Sequence, residues 1–299
     1  MRYLAAIVLA VAPTIVTADC SSERAILLSA LHSSNYTLQD PGTFAEDQGT
    51  CRQSDLVLAQ DILTIEVASL IWRLEGIEAL TIGSGRISLT GDLDGLRITP
   101  RTEDAWISYM LAEQNRRNDI DATLFVWWDF PDGRFELASL DIDFPGENRF
   151  SYGFRATGVS PQLLTGDTTA LKTLMLEHLT LEVENRGFAD GLILGAMIGK
   201  LSAVPGSPES VIDGTKRDLR ALVSNLPGNV FDADTKAALV ALITAGPVPW
   251  GEVFVQIATQ SPIPLAPFLS LGAITPDTLS AAFLGGTVSV IFNEETVEN

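Results

Sequence analysis

Two histidines, His32 and His178, are the chain's only imidazoles. A histidine acts as a general base only when a nucleophile and an orienting group stand beside it. Neither lies in a nucleophile motif, and Gly83-Ser84-Gly85 lacks the spacing of the strained Gly-x-Ser-x-Gly elbow. Paired acids occur at Asp92/Asp94, Asp141/Asp143 and Asp232/Asp234. Asp92-Leu93-Asp94-Gly95 begins like a calcium loop, but the later acidic ligands are missing. Asp141/Asp143 fits the wet face of a strand. Asp232/Asp234 fits a helix N-terminus, where the dipole favours negative charge. With 38 acids in the chain such pairs arise by chance, so the sequence assigns no catalytic residue, no metal site and no cofactor.

Binding chemistry is better represented. Gly191, Gly195 and Gly199 recur every fourth residue with Met197 among them, which on a helix makes one bare stripe. Each glycine costs up to about 1 kcal/mol against alanine, so something should offset it. That is either close packing against another element or a groove wall left open for an acyl chain or partner helix. Trp106, Trp127 and Trp128 are the other candidates for ligand contact. Trp127 and Trp128 are adjacent, so in a strand they point to opposite faces, one to the core and the other to an edge, surface or pocket.

The elements that must position these residues follow from patterning. The 299-residue chain carries 19 basic and 38 acidic groups, a net charge of −19, and is 46% hydrophobic. That apolar content excludes an acidic disordered tail. The charge excludes a nucleic-acid footprint and charge-driven binding to anionic lipid headgroups. Residues 1–18 read as a signal peptide, with Arg2, an apolar run from Leu4 to Val16 and a small-residue cleavage site after Ala18. The run is too short for a bilayer span, so the processed protein is expected to be exported to a periplasm and not integral to the membrane. Cys20 and Cys51, the only cysteines, are expected to pair there and staple the N-terminal segment, worth roughly 3–4 kcal/mol by loop entropy.

A short helix is expected after Ser21, and strands over 56–74, with Asp94-Gly95 as a hairpin turn between 87–89 and 96–98. Residues 104–116 read as a helix carrying Trp106, Ile107, Met110 and Leu111 inward. A meander follows: Ala122 to Phe130, a Pro131-Asp132-Gly133 turn, Arg134 to Phe144 with Asp141 and Asp143 on the wet face, and Phe150 to Phe154. Beyond residue 160 the order is strand 179–184, three helices, strand 252–258, a helix after Thr275-Pro276-Asp277, and strand 287–292. Ser207-Pro208 and Asp232 cap the second and third of those helices, and Ile212, Leu219, Leu222, Val223 and Leu226 form the inner face of the second.

Three segments in this order carry a resemblance. They are Asp119-Ile120-Asp121-Ala122 leading to Trp128 and Pro131-Asp132-Gly133; Leu179 through Phe188; and Ile263-Pro264-Leu265. Together they resemble uncharacterised exported proteobacterial proteins, distantly like the periplasmic lipid-groove proteins of the AsmA type, over about residues 60–293. That resemblance implies a curved sheet with helices packed on it in a cell-envelope protein, and it supplies no catalytic residues.

The expectation is therefore an α+β fold: a curved, mainly antiparallel sheet with helices on one face and a helical insert. The organisation is a signal peptide at 1–18, a disulfide-stapled segment at 19–55 and an antiparallel β-rich part at 56–160. An α+β part at 161–293, with its insert at 188–246, shares the sheet, and 294–299 is a flexible tail. The expected role is a non-enzymatic protein holding a lipid or other hydrophobic ligand in an apolar groove between sheet and helices. The alternative is an envelope scaffold that docks another protein.

Overall fold

The computed structural model describes residues 19–33, 35–60, 63–100, 104–115, 118–160, 172–187, 206–246, 249–265, 283 and 285–295. Antiparallel β-sheet dominates, with eleven strands and a few short helices among the described residues, open rather than closed into a barrel. The chain divides into two compact units, Met1–Pro145 with Thr157–Lys172, and Gly146–Ala156 with Thr173–Asn299.

In the first unit, helix α1 (Cys20–Ser33) precedes strands β1 (Thr37–Asp40), β2 (Thr43–Asp47), β3 (Thr50–Gln60) and β4 (Leu63–Glu75). Helix α2 (Glu78–Ile82), β5 (Arg86–Pro100), helix α3 (Ala105–Asn115), β6 (Ile120–Asp129) and β7 (Arg134–Phe144) follow. Sheet order is β1-β3-β4-β5-β6-β7, with β2 also pairing with β3. Asp19 starts α1 by accepting the Ser22 N–H at 2.7 Å, which satisfies one of the free amides of the first turn. The same bond holds the Asp19 carboxyl below its ordinary value.

The Asp94-Gly95 hairpin is overturned: β5 runs unbroken for 15 residues. Gly95 takes φ +65°, the left-handed geometry that a hairpin turn also uses, but here it makes a bulge in the pairing with β6. Its amide donates to Asp121 Oδ1 at 2.8 Å. A Cβ at this position would stand 2.7 Å from the Ala68 Cβ, so glycine is required. The bulge keeps Leu93 and Leu96 on the same face of the sheet.

The Cys20–Cys51 disulfide joins α1 to β3, with Cα atoms 5.3 Å apart. It packs with Trp72, Phe44, Leu70 and Leu89. Beside it Leu31 and Tyr36 lie against Leu56, Leu58 and Val67, so the α1 end of the chain covers the β3–β4 part of the sheet.

The second unit contains β8 (Asn148–Thr157), β9 (Met175–Asn185), helices α4 (Pro208–Ser224) and α5 (Ala233–Ala245), β10 (Gly251–Pro264) and β11 (Gly286–Glu294), with strand order β8-β9-β10-β11. Ser207 caps α4 by accepting the Ser210 N–H, and Pro208 occupies the first turn. Asp232 caps α5 by accepting the Thr235 N–H at 2.7 Å. Both caps stand where the sequence placed them. On α4, however, Val223 is buried while Leu219 and Leu222 are exposed. The expected inner face is therefore narrower than the periodicity implied.

Val223 and Leu226 join Leu176, Val230, Phe231, Ile263, Phe283, Val288 and Val290 in the core, with α5 residues Ala238 and Leu239 packed against it. Thr235, 1% exposed, ties α5 to β11: its Oγ1 donates to Val288 O and accepts from Val290 N–H. Phe231 bridges Val288 in parallel, and the Val288 N–H donates to Val230 O at 2.9 Å.

Candidate functional site

Antiparallel register sorts the side chains of the first unit's sheet into two faces, because partners in register project to the same side. One row runs Cys51, Trp72, Gly91, Leu124, Leu140. The next runs Gln53, Leu70, Leu93, Ala122, Ile142, and on the other side lies Leu74, Leu89, Val126, Leu137. Ile87, Trp128 and Phe135 close one end; Leu56, Val67, Leu96 and Ile120 continue towards the other. No charged residue stands in any of these rows. The opposite face carries Asp92, Thr123 and Asp141 in one row and Asp121 with Asp143 in another, the wet anionic surface read from alternation.

The apolar face is not uniformly covered. Its β3–β4 part lies under α1, as described. Leu124, Val126, Leu140 and Ile142 are each half-buried, and none belongs to a buried core cluster among the described residues. In the second unit the strand residues Leu179, Val255 and Ile257 are also half-buried, but they pack against a buried core cluster with Val223 of α4 and Ala238 and Leu239 of α5. A contiguous apolar surface left partly open is one of the features by which binding surfaces are recognised.

Gly91 sits in the middle of this half-buried part. Its φ is not in the left-handed region, and a Cβ would meet only the Leu124 Cβ at 3.8 Å, an ordinary contact. No backbone requirement therefore explains a glycine here. Its effect is a slot in the row between Trp72 and Leu124. An interior strand glycine often marks a bulge, a bend or a place where a ligand or backbone approaches closely. Sequence reasoning missed Gly91; its signal was a single glycine at an inward position of a long alternating strand.

At the closed end, Trp128 is 7% exposed and stacks on Phe130 with ring centroids 4.2 Å apart. Its Nε1–H has no hydrogen-bond partner, the one such buried side-chain nitrogen or oxygen among the described residues. Buried donors are nearly always satisfied, so this indole can still donate to an oxygen that reaches it.

Trp127 faces the other way, in register with Ser88 and Glu136, and its ring lies 4.6 Å from the Arg86 guanidinium carbon. Trp106 lies on α3 and is exposed. The structure thus brings Trp128 to the apolar face and leaves Trp106 and Trp127 elsewhere. Gly191, Gly195, Met197 and Gly199 lie outside the described residues, as do the signal segment and the helix expected after Thr275.

Cys20, Glu23 and Cys51 hold three ligand-type side chains within 4.8 Å of one another, but both sulfurs are consumed in the disulfide. Glu23, 8% exposed, accepts the Trp72 Nε1–H at 2.8 Å, and its Oε2 lies 3.3 Å from the Cys51 sulfur. Burial pushes its carboxyl above the ordinary value; the Trp72 bond pulls the other way, and Asp19 and Glu46 add to the rise. The cluster is a structural knot at the edge of the apolar face.

Of the two histidines, His32 is exposed. His178 lines a shallow recess of about 460 Å³ in the second unit with Arg155, Glu177, Ala258, Thr259, Gln260 and Pro262. There β10 loses register with β9 between Ala258 and Ile263, and the Thr259 hydroxyl donates to Glu177 O at 2.9 Å. No serine lines that recess.

No helix among the described residues is long and apolar enough to cross a membrane. No family model and no curated protein matches the chain. Among solved structures, the chain is similar to the crystal structure of LptH, the LptA-homologous periplasmic component of the lipopolysaccharide transport device of Pseudomonas aeruginosa. The two are 12% identical, the match covers 40% of this chain and 73% of that one, and the TM-score is 0.13. At that score the likeness carries no argument.

Proposed function

We propose that this is a non-enzymatic, exported protein of the cell envelope that holds an acyl chain or similarly hydrophobic ligand along the apolar face of its first unit. In this reading the sheet curves around the ligand, with α1 over one side of the groove. The observation that carries the reading is the charge-free set of rows through Gly91, Leu124 and Leu140, half-buried and outside every buried core cluster among the described residues. Apolar surface of this kind gains about 25 cal/mol for each Å² that a ligand removes from water.

The Gly91 slot admits the chain of the ligand, and Trp128 Nε1–H donates to an oxygen at its polar end. Trp128 is thus the one tryptophan of the three candidates used here. The stripe of Gly191, Gly195 and Gly199 with Met197 remains proposed as a further groove wall. The disulfide supports an oxidising compartment, the periplasm in this reading. The acidic opposite face serves solubility.

The test is native mass spectrometry of protein purified without detergent, before and after solvent extraction. Extraction should release a lipid, and titration with a fluorescent fatty acid should then refill the site with one chain per protein. A protein that carries nothing and takes up no probe would contradict the proposal.

A further inference from the structure

Helix α3 is built the wrong way round for a helix that rests on a sheet. Trp106, Ile107, Tyr109 and Met110 are 78%, 52%, 57% and 63% exposed, whereas Ser108 is half-buried. At 3.6 residues per turn the four large side chains occupy one sector of roughly 160°, and Ser108 lies on the opposite side. This corrects the expectation that Trp106, Ile107 and Met110 point inward: the apolar periodicity is real, but it faces solvent. Four large apolar groups on one exposed turn-and-a-half are far from the scattered single residues of an ordinary surface.

Charge selects the partner. Residues 101–118 contain Arg101, Arg116 and Arg117 against Glu103, Asp104 and Glu113, so the segment is neutral in a chain of −19. A second copy of the chain brings another −19 and is repelled. A zwitterionic lipid surface presents no such opposition and takes up aliphatic groups beside tryptophan and tyrosine rings, which favour the layer between headgroups and acyl chains. We infer that α3 is an interfacial anchor: it lies in the surface of a zwitterionic lipid bilayer, with Trp106, Ile107 and Met110 in the outer acyl region and Tyr109 at headgroup level. The inference rests on residues separate from the apolar face of the sheet and stands or falls independently of it.

The experiment is flotation of the full chain with palmitoyl-oleoyl phosphatidylcholine vesicles, paired with quenching of tryptophan fluorescence by lipid brominated near the headgroup. The wild type should float. The double substitution Trp106→Ser, Met110→Ser should weaken partitioning about 100-fold, since each side chain withdrawn from the interface costs about tenfold. Trp106→Phe should still float but lose most of the quenching, a readout that a purely structural role for the residue would not change.

A wild type that stays with the soluble fraction would overturn the inference, as would a double variant that floats equally or quenching that survives Trp106→Phe. Sedimentation showing reversible self-association abolished by the double substitution, without vesicle binding, would overturn it in favour of a second copy. Fatty-acid titration without vesicles separates the two sites: the double variant should take up probe as the wild type does.

Discussion

Replacing Gly91 by leucine sets the ligand reading against a purely structural one, because both raise stability but only the first costs affinity for a ligand. The substitution adds four side-chain carbons to the slot between Trp72 and Leu124, with no backbone strain and no contact closer than 3.8 Å at the Cβ. If the slot is merely a packing defect, the variant gains stability by about 0.5–1 kcal/mol, since an interior glycine carries an entropic cost. If a ligand chain lies there, the new side chain displaces about three methylenes. At about 0.8 kcal/mol each, that is a loss of about 2.4 kcal/mol, or roughly 60-fold in affinity. The assays are thermal unfolding of the empty protein and displacement of a fluorescent fatty acid. The expected result is a melting temperature raised by about 2 °C together with the 60-fold loss of affinity. A stabilised variant that binds probe as tightly as the wild type would refute the placement of the ligand.

Three further outcomes follow from geometry already described. Changing Cys20 and Cys51 together to alanine should lower unfolding free energy by about 3–4 kcal/mol in denaturant titrations, the loop-entropy value for a sequence separation of 31. Glu23→Gln keeps an acceptor for Trp72 but removes a buried charge whose pKa the fold raises. The native carboxyl binds protons more tightly than the unfolded one, so the Glu23 contribution to stability is greatest at low pH and declines as pH rises through and above 4.5. Variant and wild type should therefore unfold alike near pH 4, with the variant more stable at pH 7, as pH-dependent denaturation will check. Trp128→Phe should reduce affinity for a fatty acid by about tenfold, the worth of one hydrogen bond to a charged group, while a ligand without oxygen binds unchanged.

The long strands and the caps were legible in the chain because each rests on a local rule. By contrast β1 and β2, short, polar and largely exposed, fall in a stretch from Asn35 to Gly49 that reads as a polar connection. Alternation from Leu140 to Phe144 gave β7 its wet aspartates, and Ser207-Pro208 and Asp232 announced α4 and α5. The disulfide followed from a count of two. Asp94-Gly95 misled because the left-handed glycine of a hairpin turn and that of a bulge are the same local conformation, distinguished only by whether the partner strand continues. α3 misled for a related reason: periodicity fixes that a helix has an apolar side but not which way that side turns.

The candidate site was the least legible part. Trp127 and Trp128 were correctly divided between two faces, yet nothing local said which one was buried. That depended on bulges at Gly95 and between Phe125 and Val126, which set the register across three strands. Gly91 acquires meaning only when Trp72 and Leu124, 19 and 33 residues distant in the chain, are placed on either side of it.

The Val230-Phe231 segment, which meets β11 at Val288, has a consequence for solution behaviour. An outermost strand with free amides and carbonyls is a template onto which another polypeptide can be grafted, the usual first step towards fibrils. Here the chain has laid a short piece of itself across that template, and Thr235 occupies two further main-chain groups beside it. Among the described residues the second unit therefore carries its own stopper over part of β11, where a strand from another molecule would otherwise find free main-chain groups.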